Sequence, residues 1–165
     1  MSSQKPIIPV LYGPTASGKS AAALNLAREI NGVILNADAM QCYDALPLLT
    51  AQPSIEEQAD ISHKLYGFIS PAQNMIVTDW LEFALSEIEK DLIEGKIPIL
   101  VGGTGFYIQA LIEGLSPIPD IGDMYRKEAI SLYKEKGLEK LLTDLDAYSP
   151  DHAAQLDRHN PQRVI

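Results

Sequence analysis

A single cysteine, Cys42, gives the 165-residue chain no partner for an internal disulfide, and with only His63, His152 and His159 besides, no zinc-type ligand set can be read. No charged-then-apolar leader opens the chain, which together with the lone cysteine predicts a cytoplasmic protein. No apolar run approaches the roughly 20 residues of a membrane helix, so a soluble protein with no membrane partner is expected. Basic residues are also scarce. Lysine and arginine number 13 against 22 acids, a net charge of −9, which argues against a broad nucleic-acid surface and leaves a local basic patch open.

What is present is a folded-protein composition, 46% hydrophobic with few low-complexity stretches, long enough for one domain plus a small insertion. The stretch around which the chain is organised is Gly13-Pro14-Thr15-Ala16-Ser17-Gly18-Lys19-Ser20. It matches the phosphate-loop pattern G-x-x-x-x-G-K-[ST] between an apolar run and a helical pattern, the context in which backbone amides curl round an anion. Lys19 would add a mobile cation, the following helix its positive end, and the Ser20 hydroxyl a seat for phosphate-bound Mg²⁺. The function is therefore expected around a bound polyphosphate.

In chain order, Ile7 to Tyr12 is apolar on both faces and predicts a buried parallel strand, with Pro9 better placed near its start or on an edge. A helix is expected from Gly18 to Ile30, stopped by Asn31-Gly32, and a second strand at 33–35. Asp38 follows that strand, where ligands bind in open parallel sheets. A carboxylate beside a phosphate site suits a metal or a proton transfer; the alternative is that it only caps a turn. Residues 44–76 are less regular, broken by Pro47, Pro53, Gly67 and Pro71, with a short strand at 65–69; His63 before it suits a structural role at least as well as a functional one.

Residues 78–94 give the clearest amphipathic helix, with a stripe of Leu81, Ala84, Leu85, Ile88 and Leu92, Thr78 as N-cap, Gly95 as C-cap and Trp80 in the core. A third strand at 97–101 leads into a second glycine turn, Gly102-Gly103-Thr104-Gly105, and a helix at 106–112; beside the first loop, this turn could offer amides and the Thr104 hydroxyl to the same ligand. Pro117, Pro119 and Gly122 mark a boundary. Beyond it lie short charged helices at 124–136, 138–147 and 150–156, whose basic residues read mainly as solvated faces. Asn160-Pro161-Gln162 reads as an N-cap and first turn five residues before Ile165, which predicts a truncated piece of a longer protein.

The phosphate loop, the run from Asn36 to Tyr43 continuing through Thr50 to Ser54, the run Val101 to Tyr107 with Ala110-Leu111, and Asn160 to Arg163 together resemble the amino-terminal part of the tRNA dimethylallyltransferase family. The resemblance runs from about residue 8 to the end. It implies a P-loop NTPase-like α/β fold, a parallel sheet core carrying a helical insertion, truncated at the carboxyl end. The core would be residues 1–116, the tRNA-gripping insertion 117–159, and 160–165 the start of a return to the core. It implies transfer of the dimethylallyl group from dimethylallyl diphosphate to the N6 amine of the adenosine adjacent to the anticodon.

Residues Gly13, Pro14, Thr15, Ala16, Ser17, Gly18, Lys19 and Ser20 would hold the donor with Mg²⁺ on Ser20. Lys19, Ser20 and Asp38 would be catalytic, Asp38 taking the amine proton. The resemblance further places Asp38, Ala39, Met40, Gln41, Thr104, Arg126, Gln162, Arg163, Val164 and Ile165 on tRNA, in a monomer. The family pattern has an apolar residue at 42, a basic one at 44 and lysine at 52, where this chain has Cys42, Asp44 and Gln52. Three alternatives stand beside it. A phosphate-loop kinase would need an arginine-rich lid, and residues 44–76 contain no arginine. A prenyltransferase acting on free adenine nucleotides would not require the insertion. The third is a catalytically incomplete piece that binds substrate without turnover.

Overall fold

Alternating apolar runs and helical stretches give four short strands interleaved with helices, and the computed structural model describes residues 6–45, 47–116 and 122–165. The chain divides into two compact units, Met1–Leu115 and Ser116–Ile165. The first contains β1 (Val10–Tyr12), α1 (Lys19–Ile30), β2 (Gly32–Asn36), α2 (Ile55–Asp60), β3 (His63–Lys64), α3 (Val77–Ile93), β4 (Ile97–Gly102) and α4 (Gly105–Glu113). The strands form one parallel sheet in the order β1-β4-β2-β3.

Alternation along the two central strands sends side chains to both faces. Val33, Leu35 and Leu100 pack with Trp80, Ala84, Ile88, Tyr107 and Ile108 from α3 and α4; Ile34, Ile99 and Val101 pack with Ala23, Leu24 and Ala27 of α1. This double burial is why β2 and β4 read as continuous apolar runs. Gly32 lets α1 come close, since a Cβ there would lie 2.7 Å from Ile99 and 2.8 Å from Ala27. Pro98 is tolerated in a central strand because the Leu100 amide, two residues on, bonds Pro9; the Pro98 nitrogen faces the same side, ahead of the point where β1 begins to pair.

Several expectations are corrected. β1 is three residues long and lies at the sheet edge, with Val10 and Tyr12 exposed, so it is not the buried strand its composition suggested. The strand expected at 65–69 lies instead at His63–Lys64, because Leu65 and Gly67 both take left-handed backbone (φ +64° and +52°); Ile69 makes only an isolated bridge to Tyr43. The irregular region also contains α2, opened by a capping box in which Ser54 and Glu57 bond each other's backbone amides. Ile76, not Thr78, precedes α3, and Leu85 is half exposed while Trp80 is fully buried and stacked on Tyr107. Gly95 in left-handed backbone ends that helix.

The second unit comprises α5 (Asp123–Tyr148), broken at Gly137 (φ +76°), α6 (Pro150–Ala153) and α7 (Pro161–Val164). The break reproduces the two helices expected there, while α6 stops three residues short of the expected end. Asn160 caps α7 by accepting from the Gln162 amide at 3.1 Å. The expected boundary residues Pro117 and Pro119 lie outside the described residues. Among the described residues no helix is long and apolar enough to cross a membrane.

Candidate active site

The loop after β1 turns into α1 through Gly18, whose φ of +83° favours glycine. No side chain caps the first turn of α1 and no acid stands in it, so the first amides and the positive end of a 12-residue helix remain available to an anion. Lys19 folds back over its own loop, its Nζ 2.5 Å from Pro14 O and 3.4 Å from Ser17 Oγ. The cation is held over the loop by neutral acceptors that a phosphate oxygen can displace.

Two residues beyond β2, Asp38 is half-buried and presents its carboxylate between two depressions. One, of about 100 Å³, is lined by Lys19 and Ser20 on one side and by Asp38, Gln41, Glu57, His63 and Tyr66 on others. The second, of about 340 Å³ and more open, lies between Asp38, Gly13, Gly103 and Thr104. Asp38 Oδ1 accepts from the amide of Met40, the first residue of the 3-10 turn Met40–Cys42, at 3.0 Å, and Asp38 also lines both depressions beside the phosphate loop; the local and functional readings are not exclusive. Gly103 makes room for it, since a Cβ there would stand 3.1 Å from Oδ2.

The second glycine turn is held hard against this segment. A Cβ on Gly102 would lie 2.1 Å from Ala37 O, Thr104 donates its amide to that same oxygen, and Thr104 Oγ1 accepts from the Ala39 amide at 2.9 Å. Gln41 lines the cleft while its side-chain amide ties down Thr50 O and Ala51 O. Gln52, where the family pattern has lysine, is spent on Tyr43 O at 2.7 Å. Met40 projects away into a separate apolar groove with Tyr43, Leu49 and Pro71. Arg126 and Gln162 to Ile165 belong to the second unit.

Three residues of the cleft were not expected in it: Glu57, Tyr66 and His63. The capping box could have located Glu57; nothing in the sequence marks Tyr66. Burial, reinforced by the charges of Asp38 and Glu57, raises the Tyr66 hydroxyl pKa, so it stays a donor. His63 is hydrogen-bonded through Nδ1 to Ile61 O at 2.7 Å and packs edge-on to Tyr66. Cys42 is inert: burial, with Asp38 nearby, pushes its thiol up to about 12 against an opposing bond from Asn36.

A parallel sheet with an anion loop at the carboxyl end of one strand and a carboxylate beyond the end of another defines a P-loop NTPase-like α/β protein. The chain belongs to the IPP transferase family, whose model matches residues 41–165; a second model, isopentenyl transferase, matches residues 6–66. It is 43% identical to the tRNA dimethylallyltransferase of Rhodospirillum centenum over 100% of this chain and 52% of that one. It is 42% identical to that of Pelagibacter ubique at the same coverages. Among solved structures it resembles the tRNA isopentenylpyrophosphate transferase of Bacillus halodurans (30% identity, TM-score 0.67, 97% of this chain and 53% of that one). The fold is also that of a eukaryotic dimethylallyltransferase acting on tRNA (24% identity, TM-score 0.82, 97% and 40%). The chain spans about half the length of the curated relatives it matches.

Proposed function

We propose that this chain carries the donor-binding and proton-accepting site of a tRNA dimethylallyltransferase. The observation that carries the reading is that one cleft is lined at once by Lys19 and Ser20 of the anion loop and by the Asp38 carboxylate. Dimethylallyl diphosphate would lie with its diphosphate on the loop amides and Lys19. The bond between the allylic carbon and the diphosphate oxygen breaks as those donors stabilise the leaving anion. The exocyclic nitrogen of adenosine, weakly nucleophilic because its lone pair is delocalised, bonds to that carbon and gives its proton to Asp38. Diphosphate departs. The acceptor base, next to the anticodon in tRNA, would have to be flipped out to reach a recessed site.

The donor set also fits Mg²⁺, because Ser20 offers a hard oxygen to the cleft beside the anion loop and this ion takes few protein oxygens, with phosphate and water completing its shell. When bound, the ion would neutralise charge developing on the diphosphate. Loop residues 13–20, Asp38, Gln41 and Thr104 would line the substrate site, and Ala39, Met40, Arg126 and Gln162 to Ile165 would contact tRNA. A protein acting on tRNA would work in the cytoplasm.

The test is to incubate the chain with radiolabelled dimethylallyl diphosphate and tRNA, and separately with ATP and tRNA. Label on the adenosine amine supports the transferase. ADP release would replace it with a kinase, and binding of the labelled dimethylallyl diphosphate without transfer would leave the site as a binding module, the reading that the half-length match favours second.

A further inference from the structure

We infer that Asn36 is a positioning residue whose buried carboxamide sets the direction in which Asp38 presents its carboxylate. The inference rests on the reading of Asp38 as proton acceptor, and the geometry behind it is independent of that reading. Asn36 ends β2 and is fully buried. Its Oδ1 accepts from the Asp38 amide at 2.9 Å, and its Nδ2 donates to Asp38 O at 2.9 Å and to Leu65 O at 2.9 Å, with Cys42 Sγ at 3.4 Å.

The backbone of Asp38 is therefore held on both sides by one side chain. That fixes its Cα–Cβ direction, and the Met40 amide on Oδ1 then fixes the carboxylate itself. Only a primary amide offers two donor hydrogens and an acceptor at this separation. An aspartate in its place would set a carboxylate against two carbonyl oxygens, and an apolar residue would take the carboxamide from the Asp38 amide and from Leu65 O, leaving Asp38 O only the Gln41 amide and the Cys42 thiol.

The bond to Leu65 matters as well. Leu65 is in left-handed backbone, a conformation a branched side chain holds only when its surroundings impose it. Asn36 supplies that constraint immediately before Tyr66, which lines the cleft. One carboxamide thus locks the acceptor segment to the segment bearing the cleft's tyrosine. Trp80 closes the arrangement from behind, its indole donating to Asn36 backbone O at 3.1 Å. That bond survives side-chain replacement, so the chain's sole tryptophan reports whether the fold is kept.

The test is amide hydrogen exchange by NMR on the whole chain carrying Asn36→Leu or Asn36→Ser, with inorganic pyrophosphate binding followed by calorimetry. In Asn36→Leu the Asp38 and Met40 amides should exchange at least about tenfold faster and the Asp38 ¹³Cγ resonance should move. Asn36→Ser should fall between, because a hydroxyl can still accept from the Asp38 amide. Protection at Ile34 and Leu100 and the pyrophosphate affinity should match the parent chain. Unchanged exchange at Asp38 and Met40 in a variant with native Trp80 emission overturns the inference, as does acceleration spread evenly through the sheet, which would make Asn36 a core filler. Loss of native emission in both variants also overturns it, making Asn36 a folding determinant. A parent chain that binds no pyrophosphate counts against the proposed function and leaves the exchange result standing.

Discussion

Asp38 and Lys19 divide the proposed chemistry between them, and each can be removed without the other. Asn at 38 retains an oxygen for the Met40 amide and so preserves the turn, while it can no longer take a proton. In an enzyme with transfer activity, Asp38→Asn should lower the rate by about 10²–10⁴ and leave pyrophosphate affinity within error by calorimetry; undiminished transfer would remove Asp38 from the proton-acceptor role. Lys19→Ala should do the reverse. Its ammonium exchanges neutral oxygens of Pro14 and Ser17 for an anion, a gain of about 1.5–3 kcal/mol, so pyrophosphate affinity should drop by about 10–100-fold. Equal affinity for the two proteins would contradict the anion loop. Both residues were legible in the sequence because motif and strand end placed them. The surroundings of Asp38 were not, since Thr104 reaches the Ala39 amide and Asn36 reaches Leu65 O only because the fold brings those distant segments together.

Among the elements, the two strands buried on both faces and the helix packed on them were read to within a residue or two: β2, β4 and the helix after the phosphate loop all end in glycine, asparagine or a left-handed turn. β1 was misread because composition cannot say whether a neighbouring strand is there to cover it. β3 was misplaced because two residues carry almost no pattern. What holds so short a strand is Lys64, whose Nζ lies 2.6 Å from Asp91 Oδ1 and 2.9 Å from Glu87 Oε2 of α3. Asp91 is fully buried, and its Oδ2 has no hydrogen-bond partner among the described residues. Lys64→Met should therefore cost about 3–5 kcal/mol in denaturant unfolding, and Lys64→Met with Asp91→Leu should regain most of it; equal loss in both would show that the charge pair is not the cause.

The pH dependence follows from the same cluster. Burial pulls the Lys64 pKa down, but the bonds and charges of Asp91 and Glu87 outweigh it and leave it raised. Its stabilisation is complete below the ordinary value of 10.5 and is lost as pH climbs through the folded value above that. Bonds from Lys90 and then Lys64 lower the Glu87 pKa, so its contribution is present above 4.5 and fades as pH falls through the depressed folded value. Urea midpoints measured across pH should fall at both ends in the parent chain. In Lys64→Met the alkaline loss should shrink.

On the scale of the whole molecule, the phosphate loop sits on the outermost strand of its sheet. Among the described residues β1 pairs only with β4, and Ile7, Val10 and Tyr12 are exposed at 85%, 39% and 62%. An unpaired apolar edge templates further strands. Phe106 and Ile112 of α4 add exposed apolar surface at 57% and 70%, and Tyr12 shares a depression with Ile112. Net charge of −9 keeps dilute molecules apart, so this edge should act only as concentration rises. The chain should run as a monomer when dilute and associate reversibly when concentrated, with dye binding that reports exposed apolar surface. Val10→Lys should suppress the association, because a charge on an edge strand blocks pairing. The anion loop lies beyond that residue on α1's side, so pyrophosphate affinity should not change. Light scattering across a concentration series would decide it: an unchanging monomer in the parent chain, or association unaffected by Val10→Lys, would show that β1 is not the adhesive edge.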